Sequence, residues 1–441
     1  MIFDTAICGG ILLSSHNGYL PVIGSVGVKD GRIAYAGDKK ITKSEAGEYI
    51  DAYGKVIMPG LVNGHCHGDM AIGKGLGDGL TLQEQMDLFK GTNWFYELIN
   101  EEDRYYSRML TYIEAILSGT TFIIENMYWG LGSRSNEAMA MVGIKGGLVE
   151  DIRADFSNPD KNISAQSLSD FGVACKKYGQ IPLIGNISEE DFNENRLKNN
   201  KKMIDRFGYY ETRHLAETTW RVKMVQDQYG TTPVNYLDKC EVLHPKMIGS
   251  HAIYISEDEI KVMAEKGVKV VNTPLCEMKI ADGIAPIPSF LKYGVTVGLG
   301  TDGAMWNNSN DIFREMKGIA LLHSMHTGPK SISIKNVLNM ATIDGAKVFG
   351  LDKEMGTLEV DKTADIILIN VNQAHMAPIR IKNRENVSSS IVYCATGNDV
   401  TDVFINGKHM VKNKILATVN IEEIIEKVNI ASEKVARNYL I

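Results

Sequence analysis

Val56-Ile57-Met58-Pro59-Gly60-Leu61-Val62-Asn63-Gly64-His65-Cys66-His67 is an apolar, β-branched run that leads into two histidines at i and i+2. On an extended strand that spacing points both imidazoles to one face, so the pair can grip one metal ion. Pro59 and Gly60 interrupt the run, and Gly64 and Gly68 flank the pair, which leaves room for a ligand to approach the backbone. An isolated His-x-His arises readily by chance among ten histidines. The pair therefore takes its meaning from what the rest of the chain brings beside it.

Downstream, apolar runs alternate with helical stretches, the pattern of a parallel sheet covered by helices. The runs lie at 56–62, 120–124, 147–152, 181–187, 210–215, 247–253, 268–272 and 295–299, eight in all. Periodic segments at 102–118, 256–266 and 334–349 supply helices. The fold class read from this is α/β, a (β/α)8 TIM barrel spanning residues 58–355, with a doubly wound open sheet as the alternative. Short strands at 3–7, 11–13, 25–28 and 32–37 precede it, with Asp30-Gly31 as a hairpin signal. Similar strands recur at 364–369 and 403–408. A small β-sandwich domain built from residues 1–57 and 356–441 is expected, the latter part including a terminal amphipathic helix at 421–439 that carries Ile424, Ile425, Val428 and Val435 and packs on the body.

Composition narrows the functional classes. With 44% hydrophobic and 23% charged residues the chain is an ordinary globular protein, and a net charge of −7 argues against a general binder of nucleic acid. No run of apolar residues reaches a membrane-spanning length. Asp4 stands early and no basic segment precedes the first apolar piece, so no signal peptide is read and the cytoplasm is the expected compartment. Six scattered cysteines without a C-x-x-C pair suggest neither a disulfide framework nor a thiolate zinc site.

Candidate chemistry clusters at the ends of the runs. After the fifth comes His214-Leu215-Ala216-Glu217-Thr218, after the sixth His251, and after the eighth Gly298-Leu299-Gly300-Thr301-Asp302-Gly303. If the barrel closes, these converge with His65 and His67 at the end where barrel enzymes place their sites. Three imidazoles and a carboxylate with an open position for water are what a hydrolytic metal site requires.

Pro59-Gly60-Leu61-Val62-Asn63-Gly64-His65-Cys66-His67, His214-Leu215-Ala216-Glu217-Thr218 and Gly298-Leu299-Gly300-Thr301-Asp302-Gly303 resemble the amidohydrolase superfamily, in its branch of S-adenosylhomocysteine and methylthioadenosine deaminases and triazine hydrolases. Lys279-Ile280-Ala281-Asp282-Gly283-Ile284-Ala285-Pro286 and Gly356-Thr357-Leu358-Glu359-Val360-Asp361-Lys362-Thr363-Ala364-Asp365-Ile366 are similar to that branch's loop after strand seven and its closing β domain. The resemblance implies metal ligands at His65, His67, His214 and Asp302, and catalytic roles for Glu217, His251 and Asp302. Glu217 would move protons between water and ring nitrogen, His251 would orient the water, and Asp302 would pass a proton to the departing amine. One divalent ion per chain is implied, zinc with iron as the alternative. Dinuclear members use a carboxylated lysine or a glutamate at the end of strand four. Here Gly185-Asn186-Ile187-Ser188-Glu189 offers no lysine, and Glu189 keeps the dinuclear arrangement open. A homo-oligomer, dimer or tetramer, is the expected assembly.

The chain departs from that branch at Cys276-Glu277, where Ser-Asn is usual, and at Glu125-Asn126-Met127-Tyr128, where Ala-Asp-Met is common. Both loops are expected to line the mouth, with Glu277 meeting an amino group on the substrate. Trp94, Trp129 and Trp306 are candidates to stack on a planar ring, and Arg134 and Arg153 to meet an acidic tail. The function read from all this is hydrolytic deamination of a small amino-substituted N-heterocycle, a purine or modified nucleoside first. The same site could displace chloride or an alkylamine from a triazine. A non-catalytic barrel is the third reading, and the presence of both Glu217 and His251 speaks against it.

Overall fold

The computed structural model describes residues 2–88, 97–126, 134–152 and 162–438. Eight parallel strands form one sheet: strand one Leu61–His67, two Thr120–Asn126, three Lys145–Asp151, four Ile181–Ile187, five Tyr210–Leu215, six Met247–His251 and seven Lys269–Asn272. Strand eight comes in two pieces, Val297–Leu299 and Asp302–Gly303. The first piece pairs with strand seven and the second with strand one, so the sheet returns on itself as a barrel. Strand one is buried along its whole length, as expected of a parallel strand with side chains packed on both faces.

The run that opens with Val56 proves to be two strands. Lys55–Pro59 belongs to a second sheet, and Leu61–His67 begins the barrel. Pro59 and Gly60 make the break. Gly60 is required there by space: a Cβ would lie 2.1 to 2.6 Å from the side-chain atoms of Thr121.

That second, mixed sheet draws strands from both ends of the chain. Its order is Ile415–Leu416, Lys408–Lys412, Val400–Ile405, Ile366–Asn370, Lys55–Pro59, Phe3–Leu12, Val22–Lys29 and Arg32–Gly37, with Ala46–Asp51 beside Phe3–Leu12. The seam is the antiparallel pairing of Ile366–Asn370 with Lys55–Pro59. Ile7, Val26, Ile33 and Ile57 from the early strands share one core with Ile366, Leu368 and Phe404 from the late ones. Burial of this kind is worth roughly 1.5 to 3 kcal/mol per large aliphatic side chain, so the two halves stabilise each other across this shared core.

Local differences from the sequence reading have local causes. The two strands expected at 3–7 and 11–13 are one, Phe3–Leu12, bulged between Cys8 and Gly10 where Gly9 adopts φ 77°. Asp30 and Gly31 take φ 51° and 76°, the primed turn that suits a hairpin. The helix expected at 334–349 breaks at Thr342, whose hydroxyl donates to Leu338 O at 2.7 Å, giving Ile334–Ala341 and Ile343–Val348.

Backbone proximity divides the chain into two compact units. The first comprises 1–63, 114–122 and 311–419, and the second 64–113, 123–310 and 420–441. The last helix, Ile421–Arg437, thus belongs with the barrel strands, where Ser432 Oγ donates to Ile72 O at 2.8 Å. No helix among the described residues is long and apolar enough to cross a membrane.

Replacing Gly60 by alanine should lower stability by about 1 to 3 kcal/mol through overpacking against Thr121. Urea unfolding measures it, and Thr121→Ala in the same background should restore part of the loss. An unchanged midpoint for Gly60→Ala would show that the strand junction has slack.

Candidate metal centre and active site

Three strand ends that were expected to carry chemistry share a backbone signature. Ala216 after strand five, His251 at the end of strand six and Asp302 in strand eight adopt φ of 47°, 69° and 61°. Residues with a Cβ avoid this left-handed region, at a cost of order 1 kcal/mol or more each, and such strain concentrates at functional sites. Here it bends the chain at the barrel rim.

The pairing of strand eight with strand one sets the metal-type cluster. Asp302 lies opposite Cys66 and Gly303 opposite His67. Gly300 allows the approach, since a Cβ there would come within 2.8 to 2.9 Å of His65 Cβ and its backbone nitrogen and oxygen. Asp302 Oδ1 then stands 3.6 Å from His65 Nε2 and 3.4 Å from His67 Nε2. Donor atoms bound tetrahedrally at zinc distances are about 3.4 Å apart, so the spacing fits a shared ion. His214 joins them, its ring 5.2 Å from His65 and stacked at 5.5 Å on His67. Atoms of His65, His67 and Asp302 fall within 4.8 Å of one another, as do those of His65, His214 and His251. Neither group includes Glu189.

Each ligand candidate is braced from behind. His67 Nδ1 donates to the Asn126 carbonyl at 2.6 Å, which puts the proton on Nδ1 and leaves the Nε2 lone pair toward Asp302. His65 Nδ1 meets Ser250 Oγ at 2.8 Å. Asp302 Oδ1 accepts from Gly303 N at 2.7 Å, and its Oδ2 accepts from the Cys276 thiol at 3.0 Å. Burial pushes the pKa of His67 down to about 4 against the pull of Asp302, and burial together with the neighbouring rings holds His214 well below its ordinary value. Neutral imidazoles are the form a metal ion binds.

His251 differs. Burial opposes its charge, yet Glu217, Glu277 and Asp302 outweigh that and raise its pKa to about 10. Its Nε2 lies 3.6 Å from Glu217 Oε1 and 3.9 Å from Asp302 Oδ2. The other Glu217 oxygen is held by Arg221, which also donates to Glu190 at 2.9 Å. The expected members of the site therefore come together.

The loop residues fall elsewhere. Glu277, expected at the mouth, is 1% exposed, and its carboxylate accepts from Asn272 and Thr273 beside His251. Glu125 is likewise fully buried, paired with Arg108 at 2.8 Å and accepting from Tyr112. Trp306 stands edge-on to His67 at 5.6 Å and donates to Gln85 at 3.0 Å. The Arg134 guanidinium covers the Tyr105 ring at 4.2 Å. Trp94, Trp129 and Arg153 lie outside the described residues.

Several supporting groups escaped the sequence reading. Arg221 sits four residues after Glu217, a helical spacing that could have revealed it. Ser250, Thr273 and the Asn126 carbonyl left no such signal, because their partners are distant in sequence. A polar stripe on the helix Glu101–Leu117 was also unseen: Arg104 and Arg108 grip Asp69, while Ser107 and Thr111 donate to the Gly68 carbonyl.

A closed parallel barrel with histidines and a carboxylate converging at its strand ends defines the class of metal-dependent barrel hydrolases. The family model of the amidohydrolases matches residues 56–410, and the chain belongs to the amidohydrolase family. It is a hydrolase acting on carbon–nitrogen bonds. The chain is 33% identical to a 5'-deoxyadenosine deaminase of Methanosarcina acetivorans, over 93% of each chain. It is 32% identical to a 5-methylthioadenosine/S-adenosylhomocysteine deaminase of Desulforudis audaxviator, over 96% of this chain and 98% of the other. In fold it resembles an adenosine deaminase from Xanthomonas campestris with bound zinc, with TM-score 0.88, 22% identity and 99% of both chains covered. Atrazine chlorohydrolase from Arthrobacter aurescens, complexed with zinc, superposes with TM-score 0.85 at 19% identity, over 97% of this chain and 100% of the other.

Glu189 supplies a pH test of this region. Burial, partly offset by Arg221, raises its pKa from 4.5 to about 7, while its Oε1 accepts from Ala216 N. The folded protein then keeps a proton that the unfolded chain loses above 4.5, so this group's stability contribution falls as pH rises toward 7 and stays reduced beyond. Glu189→Gln removes the dependence. Its stability relative to wild type should grow by up to about 3 kcal/mol between about pH 5 and pH 8, measured by urea unfolding. A difference that is flat with pH would mean that Glu189 is ionised in the fold.

Proposed function

We propose that this protein is an aminohydrolase that uses one divalent ion, zinc, to deaminate the purine ring of an adenosine-type nucleoside modified at its 5' carbon. The observation that carries this is the pairing of two kinds of group in one buried cluster. His65, His67 and Asp302 have the spacing to hold an ion, His214 lies within reach of His65 and is kept neutral by burial as His67 is, and Glu217 and His251 stand beside them. The relatives named as 5'-deoxyadenosine and 5-methylthioadenosine/S-adenosylhomocysteine deaminases favour the nucleoside over a triazine. Cytoplasmic location fits the six cysteines, all of them free and five of them buried.

The bound ion supplies the Lewis acidity that makes water nucleophilic near neutral pH. Glu217 takes the proton of the attacking water through Oε1, the oxygen facing His251, because Oε2 is tied to Arg221. It returns that proton to the ring nitrogen beside the carbon under attack. His251, cationic between carboxylates, donates from Nε2 to the oxygen on which charge builds. Asp302 assists the final transfer to the amino group, so the carbon–nitrogen bond breaks with ammonia leaving and the ring gains a carbonyl oxygen.

Wild-type protein should bind about one divalent ion per chain, and alanine at His65, His67, His214 or Asp302 should strip most of it. Elemental analysis checks this, and two tightly held equivalents would overturn the single-ion assignment. Glu217→Gln should keep the metal yet lower kcat by about 10² to 10⁴-fold. Turnover within a few-fold of wild type would remove Glu217 from the proton path. Ammonia release across purines, nucleosides, pterins and triazines identifies the substrate class. Chloride or alkylamine release from triazines, with no ammonia from nucleosides, would reverse the reading.

A further inference from the structure

Strand seven ends at Asn272, and Thr273 leads into the short helix Pro274–Lys279. From that helix Glu277 folds back over the strand end. Its carboxylate accepts from Asn272 Nδ2 at 2.8 Å to each oxygen, from Thr273 N at 3.1 Å and from Thr273 Oγ1 at 3.2 Å. Thr273 Oγ1 also lies 3.0 Å from His251 Nδ1, and Glu277 Oε1 lies 3.5 Å from that same nitrogen. His251 and Thr273 are 0% exposed and Glu277 is 1% exposed.

Proton counting gives the chain a direction. The hydroxyl of Thr273 has one proton, and it is given to Glu277, so its oxygen accepts from His251. The sequence of bonds is His251 Nδ1–H to Thr273 Oγ1 and Thr273 Oγ1–H to Glu277 Oε1. With Nδ1 anchored, the ring presents Nε2 to Glu217 and Asp302, and Nε2 has no hydrogen-bond partner among the described residues. A carboxylate is the group this arrangement calls for. Asn272 and the Thr273 amide and hydroxyl all point donors at residue 277, and an amide side chain would meet them with its own N–H.

We propose that Glu277 is a positioning residue that sets the orientation of His251 through Thr273, and that it does not contact substrate. The catalytic consequence rests on the deaminase reading given above; the orientation does not.

The test uses metal-replete protein and two readouts. In protein labelled with 15N-histidine, His251 Nδ1–H should give a downfield, exchange-protected signal, assigned by its loss in His251→Gln. Glu277→Gln and Thr273→Val should each abolish that signal, and Thr273→Ser should keep it. On whichever substrate releases ammonia, Glu277→Gln and Thr273→Val should each lower kcat by about 10- to 100-fold with KM and bound metal unchanged. Combining them should cost no more than either alone, because both break one chain. A signal that survives Glu277→Gln would overturn the proposal, as would a changed KM or substrate ranking with kcat preserved. If Glu277→Gln does not fold, Thr273→Val decides, since it leaves Glu277 with Asn272. Should no compound release ammonia, the deaminase reading fails while the nitrogen-bound proton still tests the orientation.

Discussion

Closure of the barrel between strand one and strand eight is the constraint from which the site follows. The register that sets Asp302 opposite Cys66 places it level with His65 and His67, and the left-handed backbone at Asp302, φ 61°, departs from strand alternation, so its carboxylate stands 3.6 and 3.4 Å from their Nε2 atoms. A slip of one residue would turn both imidazoles to the opposite face. The braces depend on the same register, because Ser250 reaches His65 from strand six and the Asn126 carbonyl reaches His67 from strand two. Gly300 then has a steric purpose, since any side chain there would hold the two strands apart at the point where the ligands must meet.

Around that seam the protein separates charge by environment. His67 and His214 are kept neutral by burial, whereas His251, equally buried, is surrounded by three carboxylates that favour its cation. Ionised groups in a low-dielectric interior are costly unless paired. Arg221 meets that requirement for Glu217 and Glu190, and Arg104 and Arg108 meet it for Asp69. The pairings also restrict motion: with one oxygen of Glu217 held by Arg221, the other faces His251. Preorganised dipoles and charges of this kind let a site stabilise developing charge without reorganising during the reaction.

Local signals in the chain had mixed value. Asp30-Gly31 announced its hairpin because a primed turn needs left-handed backbone that few dipeptides accept. Pro59-Gly60 announced a break, although not that the chain passes there from one sheet to another, a matter decided by the pairing of Lys55–Pro59 with Ile366–Asn370. The helix expected across Thr342 has continuous apolar periodicity. It nevertheless breaks, with the Thr342 hydroxyl returned to Leu338 O and shared with Tyr19 from the far end of the sequence. Glu277 and Glu125 read as departures in loops that line the mouth, Glu277 to meet an amino group of the substrate. Both are buried, with protein donors in place of water: Arg108 and Tyr112 from a separate helix for Glu125, and Asn272 and Thr273 at the adjoining strand end for Glu277.

The sequence by itself determined the barrel strands and the two terminal half-sheets, and it marked His65, His67, His214, Glu217, His251 and Asp302 as candidate site residues, which the structure brings together. These are legible because strand periodicity and side-chain chemistry are local properties carried by residues close in sequence. Only the tertiary structure decided which oxygen of Glu217 is available, which imidazoles stay neutral, what orients His251 and where Glu277 points. Those outcomes depend on distances between atoms from different strands and on the exclusion of water among them. Neither quantity exists until the chain has closed on itself.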